Sequence, residues 1–413
     1  MFKTVNSSRN TMFEYYIKKI HIGQVRHLKD VDIPICEDEC RHLILTGRNG
    51  SGKTSLLEAM KEYFELLYKI LDRSNKSDSV YKIPKTLLLL SDASQAQQDN
   101  ILCKIIQLNF NVKDEELLEV FKQHDIVIAF FQDERKFSSP HPKAIEKVGL
   151  KQKYSISDKP RELFVKYLLD LKMTEALSKN NGHKDKALQI NEWFGKLEKL
   201  LQRLFEDKEL KLLFDEDTFE FKIQEPDGKL FDFNTMSAGY AAAFDIIVDL
   251  MMRMEKNSNR SFRYDMPGIV LIDEIETHLH LELQKLILPM LTELFPNIQF
   301  IVSTHSPFVI NSIENATIFD LEKKTLVSNG LGNIPYEGVI DGYFEIDRLS
   351  ETLRNKFEEY KKLCQKKKKT DLDYAKAAEL EAYLDEVPDY LAIDFASEYS
   401  RRKLEFHKQR GGE

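Results

Sequence analysis

Eight consecutive residues, Gly47-Arg48-Asn49-Gly50-Ser51-Gly52-Lys53-Thr54, have the types and spacing of a cradle for a phosphate chain. Three glycines let the backbone curl so that successive N–H groups point inward at oxygen atoms. Lys53 brings a cation to the outer phosphates of a nucleotide, and the Thr54 hydroxyl is placed to ligate Mg²⁺. The run His42–Thr46 before the loop has the composition of a short buried strand, and Ser55–Met60 after it that of a helix. A helix starting there adds a positive dipole end of about half a charge. The predicted nucleotide contacts are Gly47, Asn49, Gly50, Ser51, Gly52, Lys53, Thr54 and Ser55, and the expected ligands are ATP, or GTP by the loop alone, and Mg²⁺.

A second group of reactive residues stands at the ends of two apolar runs. Pro267-Gly268-Ile269-Val270-Leu271-Ile272 runs into Asp273-Glu274, the pattern of a strand buried on both faces that ends in two carboxylates. Ligands of α/β sheets lie beyond the carboxyl ends of the strands. There Asp273 would serve the metal beside Thr54, and Glu274 would orient or deprotonate a water. The run Ile298–Val302 ends in Ser303-Thr304-His305-Ser306-Pro307, which brings His305 to the same edge, where it could hydrogen-bond a γ-phosphate or the water. Ser237 and Gly239 stand just before an Ala-, Ile- and Leu-rich helix, as a second anion-ready helix start or as a simple cap. His278 and His280 have no third partner that would make a metal site.

The elements needed to hold these groups can be read from apolar spacing. Two strand-like runs, Tyr15–Ile22 and Leu28–Ile35, flank Gly23–His27 as a hairpin; a helix follows from Thr54 to about Leu71, and a strand lies within Ile101–Val112. Asp125–Phe131 is a buried strand ending in Gln132 and Arg135. Residues 155–207 read as mostly helical, with Trp193 as core, and 210–233 as a small antiparallel meander turning at Asp227-Gly228. Sustained heptads that would mark a long coiled coil are missing. The 413 residues, 42% hydrophobic and 31% charged, describe an ordinary globular chain. A net charge of −8 argues against a strongly basic nucleic-acid binder. The chain has no membrane-length apolar run and no apolar signal core, and its four cysteines, Cys36, Cys40, Cys103 and Cys364, look like free thiols, so a cytoplasmic protein is expected.

The order of phosphate loop, Ser-x-Gly helix, Asp-Glu strand and Ser-Thr-His strand resembles the ABC-type ATPase head shared by RecF, SMC and OLD proteins. The segments 47–60, 273–280 and 295–312 are similar to its bacterial anti-phage defence branch, which includes Septu PtuA-like and PARIS AriA-like ATPase subunits. The resemblance covers roughly residues 13–70 and 230–325. It implies an α/β P-loop head with a mixed sheet flanked by helices, an antiparallel β subdomain, a helical insertion and a helical C-terminal extension. It makes Gln132 the glutamine that senses Mg²⁺ and the attacking water, and Arg26 and His27 either base contacts or plain turn residues. It also implies that two heads meet face to face, with Ser237 and Gly239 of one head reaching the nucleotide of the other. Met236, Ala238 and Tyr240 depart from the usual Leu-Ser-Gly-Gly-Gln signature.

The expected divisions are 1–72 and 209–325 for the two parts of the head, 73–208 for an inserted, mostly helical lobe, and 326–413 for a helical partner-docking region. Asp371-Leu372-Asp373 matches the acidic pair of a Toprim nuclease but precedes a helix and follows no strand, so a nuclease in this chain is disfavoured. The run Lys366–Lys369 is a solvated linker or a nucleic-acid contact. These readings together anticipate an ATPase subunit, a homodimer or higher oligomer through its heads, that gates a separately encoded effector nuclease of HNH or Toprim type. The competing class is a RecF-like repair ATPase that binds DNA itself.

Overall fold

The computed structural model describes residues 15–74, 87–88, 105–123, 126–141, 144–327, 351–366, 369–385 and 393–410. The stretch 75–104, apart from Leu87 and Leu88, and with it Cys103, lies outside the described residues. The chain divides into two compact units, residues 1–334 and 335–413.

The first unit opens with the expected hairpin, β1 (Ile17–Val25) and β2 (Leu28–Pro34), paired Val25↔Leu28. Its turn is only Arg26-His27, with Arg26 at φ 51. The first strand therefore runs three residues beyond Ile22, because Val25 is buried and continues the inward-facing set. Next come β3 (His42–Thr46), buried at every residue, and α1 (Lys53–Ser74). They are followed by β4 (Leu87–Leu88), β5 (Ile105–Phe110), α2 (Asp114–Gln123) and β6 (Val127–Phe131).

After a 3₁₀ turn at Pro160–Leu163 the helices α3 (Phe164–Asn180) and α4 (Lys184–Leu204) form the lobe. The meander β7 (Lys211–Phe214), β8 (Phe221–Gln224) and β9 (Leu230–Phe231) leads into α5 (Ala238–Ser258). The unit ends with β10 (Gly268–Ile272), α6 (Leu281–Leu294), β11 (Ile298–Ser303), α7 (Pro307–Ile310), β12 (Ala316–Asp320) and β13 (Thr325–Val327).

The strands form three sheets, ordered β2-β1-β5-β4, β13-β12-β3-β11-β10-β6 and β7-β8-β9. In the six-stranded sheet only β13 is antiparallel to its neighbour. Strands β5 and β6 fall inside the segment expected to be an insertion, yet each is woven into a head sheet. The pairing Gly268↔Val127 makes β6 a neighbour of β10, and β5 pairs with β1. Sequence spacing hides this, because a strand that pairs far along the chain looks local until its partner is known. One apolar core, including Ile20, Val31, Leu57, Phe64, Phe121, Leu271 and Ile301, joins the hairpin sheet, α1 and the six-stranded sheet.

The helical lobe is tied to α5 by charges. Arg161 lies 2.6 Å from Asp245 and 3.0 Å from Asp249, and Arg253 Nε lies 2.6 Å from Asp249. Trp193 is core, 1% exposed and edge-on to Tyr167, Phe194 and Phe262. Among the described residues the longest helix has 22 residues, so there is no coiled-coil arm, and no helix is long and apolar enough to cross a membrane.

The second unit consists, among its described residues, of α8 (Glu351–Gln365), α9 (Asp371–Leu384) and α10 (Ile393–Arg410). They close on their own core of Phe357, Tyr360, Leu380, Tyr399 and Phe406.

Candidate nucleotide site

Four of the predicted groups emerge from one edge of the parallel sheet. The registers Leu45↔Ser303, Ile272↔Val302 and Ile272↔Phe131 put the ends of β3, β11, β10 and β6 level. The phosphate loop, His305, Asp273-Glu274 and Gln132 follow directly from those ends. Two further backbone bonds hold the exits in line, Thr304 N to Leu45 O at 3.0 Å and Asp273 N to Phe131 O at 2.8 Å.

Within the loop Gly47, Gly50 and Gly52 have φ of 127°, 83° and 103°, a region that side chains rarely enter. At Gly52 there is also no room, since a Cβ would lie 2.8 Å from Leu28 of the hairpin. His27, at the hairpin's tip, places Nε2 3.1 Å from Ser51 O. The hairpin thus braces the loop from outside. Lys53 is 5% exposed, and its Nζ donates to Gly47 O (2.8 Å) and Arg48 O (3.2 Å), carbonyls of the loop itself. Ser55 is buried, while Thr54, Asn49 and Gly50 are exposed.

Burial lowers the pKa of Lys53, and the charges of Glu274, Asp273, Glu276 and Asp320 oppose that shift. Ser303 Oγ donates to Asp273 Oδ1 at 2.5 Å and accepts from the backbone N–H of Glu274 at 2.7 Å. His305 donates its backbone N–H to Glu276 Oε1 at 2.5 Å. Its imidazole is held neutral at pH 7, because burial and then Lys53 lower its pKa. Glu276 and Asp320 were not anticipated. The first had a signal, as the third acid of Asp273-Glu274-Ile275-Glu276; the second, ending an edge-side strand, had none.

Gln132 is exposed at the end of β6. Arg135, three residues on, is buried and reaches the carbonyls that follow β10. Ser237 is the N-cap of α5, but its side chain makes no capping bond and is exposed. Beside it Gly239 is buried, and a Cβ there would lie 2.8 Å from His278 O. The start of α5 therefore packs on the loop that follows Glu274. Tyr240 stacks on Phe205 with centroids 4.0 Å apart.

The residues fit a nucleotide and its metal. Ser51 Oγ and His305 Nε2 are buried without hydrogen-bond partners, and such atoms beside a phosphate cradle suit an anion's oxygens. Thr54 and Asp273 supply the hard oxygen donors that Mg²⁺ takes. Elsewhere, His280 serves as the N-cap of α6, and the described residues contain no cluster of three or more metal-ligating side chains. Asp373 closes a capping box with Thr370 and pairs with Lys366 at 2.7 Å.

Residues 128–311, somewhat under half of the chain, match the family model described as "AAA domain, putative AbiEii toxin, Type IV TA system". The match is to an ATPase-type domain. The chain is 38% identical over 114 residues to "Retron Ec83 probable ATPase" of Escherichia coli, an alignment that covers 27% of this chain and 21% of that protein. With "Septu protein PtuA" of Bacillus mycoides (strain KBAB4) it shares 24% identity over 336 residues, 77% of this chain and 43% of the relative. The chain thus spans less than half the length of either relative. A solved SMC head bound to the C-winged helix domain of ScpA superposes loosely, at a TM-score of 0.40 and 15% identity over 77% of this chain and 98% of that one.

Proposed function

We propose that this chain is an ATP-hydrolysing subunit of an anti-phage defence complex, whose heads close on nucleotide and thereby hold and gate a separately encoded effector nuclease. The observation that carries the ATPase part is the level exit of β3, β11, β10 and β6 at one sheet edge, from which the loop with its buried Lys53, His305, Asp273-Glu274 and Gln132 follow. The retron and Septu relatives support the defence part.

In this reading the loop amides, with Asn49, Ser51 and Ser55, hold the phosphate chain, and Lys53 swings from the Gly47 and Arg48 carbonyls onto its outer oxygens. Thr54 and Asp273 hold Mg²⁺, which when bound neutralises phosphate charge, and Gln132 reads the state of that site. Glu274 takes the proton of the attacking water. His305, with Nε2 free of other partners, donates to the γ-phosphate or accepts from the water. Ser237 and Gly239 meet the nucleotide of a facing head, the exposed serine making the contact and the packed glycine fixing its place.

Steady-state hydrolysis tests this. The purified chain turns over ATP in Mg²⁺ and stops when the metal is chelated, and it co-purifies with the product of an adjacent gene. No turnover under any of these conditions contradicts the ATPase reading, and a chain that hydrolyses ATP but needs DNA for it favours a repair ATPase instead.

A further inference from the structure

Three carbonyls follow strand β10, those of Asp273, Glu274 and Ile275, at a point where ladder pairing ends. Asp273 N still bonds Phe131 O, but the chain then turns, with Glu274 at φ 44°, a left-handed conformation that is costly for a residue other than glycine. Such a conformation persists only where its surroundings hold it. Buried carbonyls there also need donors.

Arg135 supplies them. Its Nη1 donates to Gln132 O at 2.8 Å and Asp273 O at 2.6 Å, and its Nη2 donates to Glu274 O at 2.8 Å and Ile275 O at 3.2 Å. The residue is 5% exposed, and the nearby carboxylates of Glu276, Asp245 and Asp273 offset its buried charge. One planar fork thus grips the carbonyls of both predicted reactive strand ends, β6 at Gln132 and β10 at Asp273-Glu274. A side chain that bonds only backbone oxygens cannot be reading its neighbours' chemistry; it fixes their place.

We infer that Arg135 is a positioning residue for ATP hydrolysis, which locks the left-handed turn that aims Glu274 and ties Gln132 to it. This inference rests on the proposed role of Glu274. Misplacing a reacting group by about 1 Å costs on the order of 10²-fold in rate while leaving remote binding contacts intact. Lysine cannot replace the fork, because one ammonium offers its donors from a single point.

The test compares wild type, Arg135→Ala, Arg135→Lys and Glu274→Gln in the full chain, measuring ATP affinity and kcat separately. Folding is followed by circular dichroism, and guanidinium is added at sub-denaturing concentration. Expected for Arg135→Ala is near wild-type ATP affinity, a kcat lower by about 10²-fold, and partial recovery with guanidinium. Glu274→Gln should not recover. If Arg135→Ala does not fold, Arg135→Lys keeps the buried charge and should be folded, nucleotide-binding and slow.

Wild-type turnover in the folded alanine or lysine variant overturns the inference, as does a loss of ATP affinity that accounts for the whole loss of rate. If the wild type hydrolyses ATP but Glu274→Gln does so equally well, the role of Glu274 fails and this inference with it. That outcome is distinct from an Arg135→Ala variant that alone matches the wild type.

Discussion

Two acidic pairs in this chain look alike on paper and behave differently in space. Asp273-Glu274 closes a strand buried at every residue, with Asp273 Oδ1 accepting from Ser303 Oγ and Glu274 Oε2 accepting from Thr277 Oγ1. Asp371 and Asp373 lie in the first turn of a helix, where Asp373 bonds the Thr370 backbone and side chain and pairs with Lys366. Lys366, the first of its bonds, holds the Asp373 carboxyl down to about 2, and the hydrogen-bonding capacity of that carboxyl is taken up locally. An acid at a sheet's carboxyl edge points beyond the sheet with few neighbours to satisfy it, whereas an acid at a helix start finds donors in its own backbone. The element under the pair decides whether it is left over for chemistry.

Substitutions sharpen this contrast, and the largest effect belongs to the loop that faces the first pair. Lys53→Ala removes the buried cation of the phosphate loop and should abolish measurable ATP binding by titration calorimetry; unchanged affinity would remove the loop from the site. Next is Ser237→Arg, which should leave binding intact and stop turnover, because the exposed serine is assigned to a second head's nucleotide. An affinity as poor as that of Lys53→Ala would place Ser237 in its own head's site and end the two-head reading. Smallest is Asp373→Ala, which should lower the melting temperature by no more than a few degrees and leave ATP turnover at the wild-type rate. A large loss of turnover, or of any nuclease activity in the preparation, would erase the distinction between the two pairs.

Much of the nucleotide edge was legible in the sequence, for a physical reason. Parallel strands buried on both faces read as continuous apolar runs, so residues at their ends announce themselves, as Asp273, Glu274 and His305 do. The phosphate loop is legible because its glycines are needed for backbone shape. Arg135's grip was not, since its partners are carbonyl oxygens, which every residue has. Nor was the place of β6 in the main sheet, which depends on pairing with β10 far along the chain. Ser237 was read as a cap or an anion contact; the cap position is real, but the side chain makes no capping bond.

The most direct measurement is ATP binding and turnover by Glu274→Gln. The amide keeps the size and reach of the carboxylate but cannot take a proton, while Asp273 and Lys53 are untouched. ATP affinity should stay near the wild-type value, kcat should fall by about 10²–10⁴-fold, and light scattering should show the closed assembly accumulating with ATP. Turnover at the wild-type rate would contradict the assignment of the acid pair at the sheet's edge as the hydrolytic centre.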